Sequence, residues 1–197
     1  MQADENTSIL YFPKKLPTIV TKRLIMRPLT KEDGPNYVLG ISDIEVCNSL
    51  STYPYPYTIE DYNQFYAQTL DQFSKKEAIV LALALNAEPN MLIGRLILRL
   101  NPKNENAEAG YWLRRSDWNK GYMTEALKGL IDYGFNALHF HKISGCHYEF
   151  NKASAKVMQK CGMIKEMTKI DHVKRFDKYQ NLVCYGIINP QYIISKE

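Results

Sequence analysis

The sequence of 197 residues predicts one α/β domain in which helices pack on a mixed (α+β) sheet. Short apolar segments of strand length alternate with longer amphipathic segments, and three strand segments in a row run into a β-α-β unit. No repeat or low-complexity tract divides the chain. We therefore predict the order β-α-α-β-β-β-α-β-α-β-β over residues 21–190, with an arm formed by residues 1–20 and a tail formed by residues 191–197.

The first part of this order is a strand followed by two capped helices. Residues 21–29 alternate in character, with Leu24 and Met26 on one side of the strand. Thr30 and Thr58 are each followed, three positions later, by an acidic residue, which is typical of helix N-caps. The arm before the strand is expected to dock on the domain through Leu10, Tyr11 and Phe12.

The remaining elements are strands and two further helices. An amphipathic helix follows Gly121, and a shorter helix is predicted between its N-cap Asn151 and its stop at Gly162. Turn signals mark residues 86–90, and residues 174–181 form a polar hairpin. The predicted strands are residues 78–85, 92–100, 108–113, 142–150, 163–172 and 182–188.

Composition and charge argue against several classes of protein. The net charge is only +4 and the basic residues are scattered, so we predict no nucleic-acid interface. The four cysteines match no zinc or CxxC spacing, which favours reduced thiols, no metal site and a cytoplasmic location. No apolar run reaches membrane-spanning length, and the first residues lack a signal-peptide pattern, so no membrane association is predicted. The sequence leaves open whether the protein is a monomer or a homodimer.

The segment from residue 108 to residue 130 is the most informative part of the sequence. An apolar strand ends at Leu113, a polar turn follows, and the residues WNKGYM open an amphipathic helix. No acidic side chain lies between Trp118 and Met123. The first backbone N–H groups of the helix are therefore free to bind an anion, with the positive end of the helix dipole behind them. This pattern predicts a phosphate or pyrophosphate site.

Seven motifs give the sequence a family resemblance. They are TKRLIMRPL, YPYPYT, IGRLIL, AEAGYWL, WNKGYMTEAL, NKASAKVMQKCGM and VCYGI, and together they span about residues 20–190. The chain resembles the GNAT acyl-CoA N-acetyltransferases, and within them the Rim-type branch that acetylates the N-termini of ribosomal proteins. The resemblance implies a GNAT fold, acetyl-CoA as cosubstrate, no metal, and direct attack of an amine on the thioester.

The resemblance also implies which residues hold the cofactor. The family's pyrophosphate loop has a glycine where Gly121 stands, and Asn119 replaces a glycine of the branch while tolerating a left-handed backbone. Lys120 either contacts the ligand or is solvated. A backbone N–H near Trp112 or Leu113 would hold the thioester carbonyl, a contact worth roughly 3 kcal/mol. The implied cofactor-binding residues are Trp112, Leu113, Trp118, Asn119, Lys120, Gly121, Tyr122, Met123, Thr124, Asn151 and Ser154.

The acid that protonates the departing thiolate is less clear from the sequence. Asn151 and Ser154 form the N-x-x-S pattern of the branch, and they either cap a helix or bind pantetheine and approach the sulfur. Many members of the family carry a tyrosine seven residues after this asparagine, but Met158 stands there. The resemblance then implies that Ser154 is the acid, directly or through water, or that the thiolate leaves unassisted, since thiol pKa values lie near about 8.5.

The base is equally open. Glu108 lies on the strand where some members carry a catalytic carboxylate, although a surface ion pair is an equal alternative; His147 and Glu149 are further candidates. Deprotonating an α-amine of pKa about 7.7–8.0 at neutral pH costs roughly 1 kcal/mol, whereas a lysine of pKa about 10.4 costs near 4–5 kcal/mol. A weakly placed base therefore suits an N-terminal α-amine as the acceptor.

The acceptor site is predicted in the aromatic loop between the first two helices, where Tyr53, Tyr55 and Tyr57 would shape a pocket for a peptide end or a small amine. A packed structural loop is an equal alternative. Two other functions remain open. A small-amine acetyltransferase would use acidic side chains, and a non-catalytic acyl-CoA sensor would explain Met158. The acidic candidates are Asp43, Glu45, Glu60 and Asp61.

Overall fold

The computed structural model describes residues 11–50 and 53–191. Its strands are β1 (Ile19–Val20), β2 (Leu24–Pro28), β3 (Ala78–Leu85), β4 (Glu88–Asn101), β5 (Asn106–Leu113), β6 (Lys142–Tyr148), β7 (Ile164–Arg175) and β8 (Lys178–Ile188). Its helices are α1 (Gly34–Ile41), α2 (Ile44–Asn48), α3 (Ile59–Ser74), α4 (Tyr122–Asn136) and α5 (Lys152–Lys160). Leu10 and most of the predicted tail lie outside the described residues.

The strands form one sheet in the order β1-β2-β3-β4-β5-β6-β8-β7. Every neighbouring pair is antiparallel except β5 and β6, which run parallel. That parallel pairing covers three residue pairs, from Asn106 with Lys142 to Glu108 with Ser144. Beyond Glu108 the two strands are no longer paired, although each continues for several residues. An opening between β5 and β6 therefore lies in the middle of the sheet.

Helices cover both faces of the sheet. On one face, α4 buries an apolar stripe that includes Leu127 and Leu130, as its helical spacing predicts. On the other face, α1 and α3 pack with an aromatic cluster that includes Tyr37, Tyr62 and Trp112. Because β5 contributes side chains to both cores, its course and the opening beside it are fixed from both sides.

The predicted fold class is confirmed, with two elements added. Strand β1 lies within the predicted arm and α2 follows α1; both are too short for periodicity to reveal. Strand β4 begins at Glu88 rather than at residue 92, and β7 and β8 continue through most of the predicted polar hairpin. That hairpin turns at Phe176 and Asp177, both with a left-handed backbone.

The described part of the predicted arm contacts the domain. The Phe12 ring lies 4.9 Å from that of Phe73, and the Tyr11 ring lies 4.2 Å from that of His139. Within residues 11–50 and 53–191, no helix has the length and apolarity that crossing a membrane requires.

Candidate active site

A cleft of about 790 Å³ lies where β5 and β6 separate. Its walls come from the second half of β5, the turn before α4, the first turn of α4, the end of β6, and α5. Residues 45–50, which include most of α2, close one end. A hollow of about 360 Å³ beside Pro89 is open to solvent and lies away from this separation. The cleft therefore brings together most of the residues that the sequence predicted for cofactor binding.

The first turn of α4 provides an anion site. The N-cap Gly121 has φ of +76° and Asn119 has φ of +62°, so the chain enters the helix through two left-handed residues. No side chain caps the helix at Gly121. The N–H groups of Tyr122, Met123 and Thr124 have no acceptor within an α-helix, and these residues line the cleft. This turn can therefore bind a pyrophosphate through backbone donors and the helix dipole.

Arg23, the residue just before β2, holds this turn in place. Its Nε donates to Oε2 of Glu125 at 2.7 Å, and its Nη1 donates to the carbonyl of Lys120 at 3.0 Å. Burial raises the pKa of Glu125, but hydrogen bonds from Thr21 and Arg23 outweigh it and hold the pKa below its ordinary value. The one carboxylate in the first turn of α4 is thus paired with a cation instead of facing the anion site.

The charge of Lys120 is already paired. Its Nζ lies 3.0 Å from a carboxylate oxygen of the buried Asp117, which also accepts a hydrogen bond from Arg114. Burial raises the pKa of Asp117, but these two cations lower it below the ordinary range. Lys120 therefore supports the turn through Asp117, and its predicted contact with the cofactor stays a prediction.

The opposite wall of the cleft is positively charged. Lys152, Lys156 and Lys160 lie four residues apart on α5, so they share one helix face, and all three line the cleft. The C-terminal end of α5 is beside the anion site, because Sγ of Cys161 lies 3.5 Å from the carbonyl oxygen of Thr124. Lys156 and Lys160 are therefore the members of this lysine row nearest to the first turn of α4.

The direction of the backbone in β5 separates the two predicted carbonyl-binding residues. The N–H of Arg114 donates to the carbonyl of Ile93 on β4 at 2.8 Å. Since alternate residues of a strand point to opposite edges, the N–H of Trp112 also faces β4, whereas that of Leu113 faces the cleft. The carbonyl of Leu113 agrees with this direction, because it accepts from Nε1 of Trp118 at 2.7 Å. Leu113, rather than Trp112, is placed to donate to a thioester oxygen.

Ser154 has a partner that the sequence did not reveal. Asn151 caps α5, since its Oδ1 accepts from the backbone N–H of Ser154 at 3.0 Å. The hydroxyl of Tyr111, on β5, lies 2.8 Å from Oγ of Ser154 across the cleft. Met158 is buried against Gly145 and does not line the cleft. The tyrosine beside Ser154 is thus supplied by the strand instead of the helix.

Of the three predicted bases, only His147 lines the cleft. Glu108 lies 3.2 Å from Arg99 in a half-exposed ion pair, and Glu149 accepts from Asn181 at 2.8 Å. Nδ1 of His147 lies 2.7 Å from the carbonyl of Tyr148, so the proton resides on Nδ1 and the buried Nε2 keeps its lone pair. Burial lowers the pKa of His147, which is therefore neutral at neutral pH. The assignment of Glu108 as base stays a prediction without support from this geometry.

The predicted acceptor tyrosines do not line the cleft. Tyr53 and Tyr57 are buried in the aromatic core, where the Tyr53 hydroxyl lies 2.6 Å from that of Tyr37 and accepts from Arg95 at 2.7 Å. Tyr55 is exposed. The alternative prediction, a packed structural loop, describes Tyr53 and Tyr57. Burying their two rings against α1 and α3 stabilises the core. Residues of α2, rather than these tyrosines, form part of the cleft wall.

Most of the acidic candidates have structural roles. Asp43 caps α2, and Asp61 caps α3 through Thr58. Glu60 is exposed in the first turn of α3 and does not line the cleft. Glu45 does line it. Within the described chain, two carboxylates line the cleft: that of Glu45, and that of Asp117, which is paired with Arg114 and Lys120.

The chain is similar in sequence to a known protein family and to a known relative. Residues 23–164 match the family described as acetyltransferase (GNAT) domain. The chain belongs to this GNAT family. It is 25% identical to the uncharacterized N-acetyltransferase p20 of Bacillus licheniformis over 178 residues, which are 90% of this chain and 99% of p20.

Solved GNAT structures share the fold. RimJ of Mycobacterium smegmatis, in complex with a CoA disulfide, superposes with a TM-score of 0.81 at 15% identity and covers 89% of both chains. RimL, a ribosomal alpha-N-protein acetyltransferase in complex with coenzyme A, superposes with a TM-score of 0.79 at 20% identity, covering 87% of this chain and 98% of RimL. The resemblance to the GNAT family found in the sequence is therefore confirmed, and this GNAT protein is an acetyl-CoA-dependent N-acetyltransferase. In the described residues, no group of three or more His, Cys, Asp and Glu side chains is arranged to hold a metal ion.

Proposed function

We propose that this GNAT enzyme transfers the acetyl group of acetyl-CoA to the α-amine at a protein N-terminus. The observation that carries the proposal is the chemistry of the cleft lining. The cleft is lined by His147, a weak base with a lowered pKa, and by Glu45, while its second carboxylate, Asp117, is paired with Arg114 and Lys120. A weak base suffices for an α-amine, which loses its proton at a cost of about 1 kcal/mol at neutral pH, whereas a lysine costs near 4–5 kcal/mol. A polyamine would also need several carboxylates to balance its charge.

We assign each part of acetyl-CoA to a part of the cleft. The first turn of α4 binds the pyrophosphate, and the pantetheine arm lies between the separated β5 and β6. The N–H of Leu113 stabilises the negative charge that develops on the thioester oxygen during attack. Ser154 faces the sulfur and protonates the departing thiolate. The name of RimL, a ribosomal alpha-N-protein acetyltransferase with the same fold, supports a ribosomal protein as the acceptor.

The acceptor is tested by incubating the enzyme with acetyl-CoA and three sets of amines. The sets are peptides with the N-terminal sequences of ribosomal proteins, the same peptides with a blocked α-amine and one free lysine, and a panel of polyamines, amino sugars and amino acids. We expect acetylation of the free N-termini with at least tenfold higher kcat/KM than of the other two sets, measured by mass spectrometry and release of free thiol. Transfer to small amines alone would refute the N-terminal proposal. Binding of acetyl-CoA without thiol release on any amine would identify a sensor.

The lysine row gives a second prediction. Replacing Lys156 and Lys160 by glutamate is expected to weaken acetyl-CoA binding about tenfold in low salt, and less in high salt, because exposed charges act through solvent and are screened. Isothermal titration calorimetry at two ionic strengths measures the change. Lys103→Glu with Lys178→Glu, which changes the net charge equally at exposed positions away from the cleft, is the control. An equal loss of affinity for acetyl-CoA in both double variants would show that the net charge of the protein, and not the position of Lys156 and Lys160, determines binding.

A further inference from the structure

Tyr111 is a half-buried, cleft-lining residue that no sequence motif assigned to the reaction. It lies on the second half of β5 and packs against the core that includes Met158. Its hydroxyl meets Oγ of Ser154 at 2.8 Å and the carbonyl oxygen of Ser154 at 3.3 Å. It thus contacts the side chain that the proposed function places beside the sulfur.

The direction of this hydrogen bond follows from chemistry. A phenol is a stronger acid than an alcohol and therefore the better donor, and the contact with Oγ is shorter than that with the carbonyl. Burial raises the pKa of Tyr111, so the phenol keeps its proton throughout the working range of the enzyme. When Tyr111 donates to Oγ of Ser154, the proton of Ser154 must point elsewhere. The open side is the cleft.

The backbone of Ser154 is fixed as well. Its N–H donates to Oδ1 of Asn151, and its Oγ contacts the Tyr111 hydroxyl, which together leave rotation of the hydroxyl hydrogen as the main freedom of the side chain. Without the phenol, the Ser154 hydroxyl could turn and donate to a carbonyl of α5, as serine side chains in helices commonly do. That orientation would direct its proton away from the thioester.

We propose that Tyr111 is a positioning residue: it donates to Ser154 and thereby aims the Ser154 proton at the sulfur of the departing coenzyme A. In this step the carbon–sulfur bond breaks with its electron pair going to sulfur, the Ser154 proton moves to sulfur, and the Tyr111 proton moves to Oγ of Ser154. The phenolate then takes a proton back from solvent or from the amine product. The strand phenol thus compensates for Met158, which stands where many family members have a tyrosine on the helix.

The test is a double-mutant cycle on turnover. Tyr111→Phe and Ser154→Ala are each expected to lower kcat about tenfold with KM for acetyl-CoA changed less than twofold. The double variant should again lose about tenfold, because the two residues act as one unit. Tyr133→Phe, which removes the hydroxyl of a half-buried tyrosine away from the cleft, should leave kcat unchanged. A hundredfold loss in the double variant would overturn the proposal, because independent effects multiply.

A second measurement covers the case in which Tyr111→Phe is unstable. Incorporation of 3-fluorotyrosine at position 111 keeps the shape of the ring and makes the phenol a stronger donor. It should raise kcat while leaving KM for acetyl-CoA unchanged, and an unchanged kcat would contradict the positioning role.

This inference rests on the proposed cleft chemistry but not on the identity of the acceptor. The cycle can be measured with whichever amine the acceptor screen finds. If small amines are the acceptors, the N-terminal proposal fails while the coupling between Tyr111 and Ser154 is still measurable. If the wild-type enzyme binds acetyl-CoA without turnover, both proposals fail. If the enzyme is active but the decreases in kcat of the two single variants multiply in the double variant, only the role of Tyr111 is refuted.

Discussion

Gly121→Glu will abolish binding of acetyl-CoA at micromolar concentrations while the protein remains folded. A Cβ atom at this position meets only a nitrogen of Arg23 at 3.5 Å, an ordinary contact, so the effect comes from charge rather than from bulk. The new carboxylate would lie at the N-cap and accept hydrogen bonds from the same backbone N–H groups that bind the pyrophosphate. Two like charges about 4 Å apart repel by roughly 4 kcal/mol in a partly exposed site. We therefore expect affinity to fall by about 10²–10³-fold, since 1.4 kcal/mol corresponds to a factor of ten.

Calorimetric titration with acetyl-CoA measures this loss, and two variants separate its causes. Gly121→Gln carries the same bulk and the same left-handed strain without the charge, so it should retain most of the affinity. Lys76→Glu places the same side chain at another left-handed position, φ +59°, just after α3 and outside the cleft. It should leave the affinity unchanged. Unchanged binding in Gly121→Glu would show that the pyrophosphate lies elsewhere.

The anion site could be predicted from the sequence because its chemistry is local. A left-handed glycine, an uncapped helix start and the absence of acidic neighbours are all properties of consecutive residues, and the structure shows the backbone they predict at Asn119 and Gly121. The order of the elements along the chain and the helix faces were equally accessible, since periodicity depends on neighbours in the chain. Short elements such as β1 and α2 have no period to detect.

The other half of the site depends on contacts between distant residues. From the sequence alone, Tyr53 and Tyr57 fit a pocket wall as well as they fit the core. The choice depends on the positions of Tyr37 and Arg95, which are distant in the chain. Glu108 looks like a base in the sequence, yet Arg99 on the neighbouring strand pairs with it. Tyr111 lies 43 residues from Ser154, and an apolar strand pattern conceals its hydroxyl. One signal was available: a tyrosine next to Trp112 in a strand predicted to line the cofactor.

Asp33→Ala should lower the free energy of unfolding by about 3–5 kcal/mol, the range for removing one partner of a buried ion pair. Both oxygens of Asp33 accept from Arg27, at 2.7 and 2.8 Å, and the carboxylate is only 1% exposed. It also accepts from the N–H of Thr30 at 2.9 Å, at the entry to α1. The substitution removes the carboxylate that balances the mostly buried guanidinium of Arg27 and leaves it the carbonyls of Pro28 and Pro89 as acceptors. Because α1 packs against Trp112 through Gly40, destabilising α1 should also loosen the part of the cleft wall that Trp112 forms.

Denaturant unfolding followed by circular dichroism measures this change, and the chain contains a matched control. Asp71 pairs with Lys75 at the same distance of 2.7 Å, but both side chains are 57% exposed. Asp71→Ala should therefore change stability by about 0.5 kcal/mol or less. If the stranded charge of Arg27 causes the loss, then Arg27→Met combined with Asp33→Ala should recover a large part of it, since a buried pair can be replaced by apolar groups at little cost. If the lost cap at Thr30 is responsible, the double variant will be no more stable than Asp33→Ala alone.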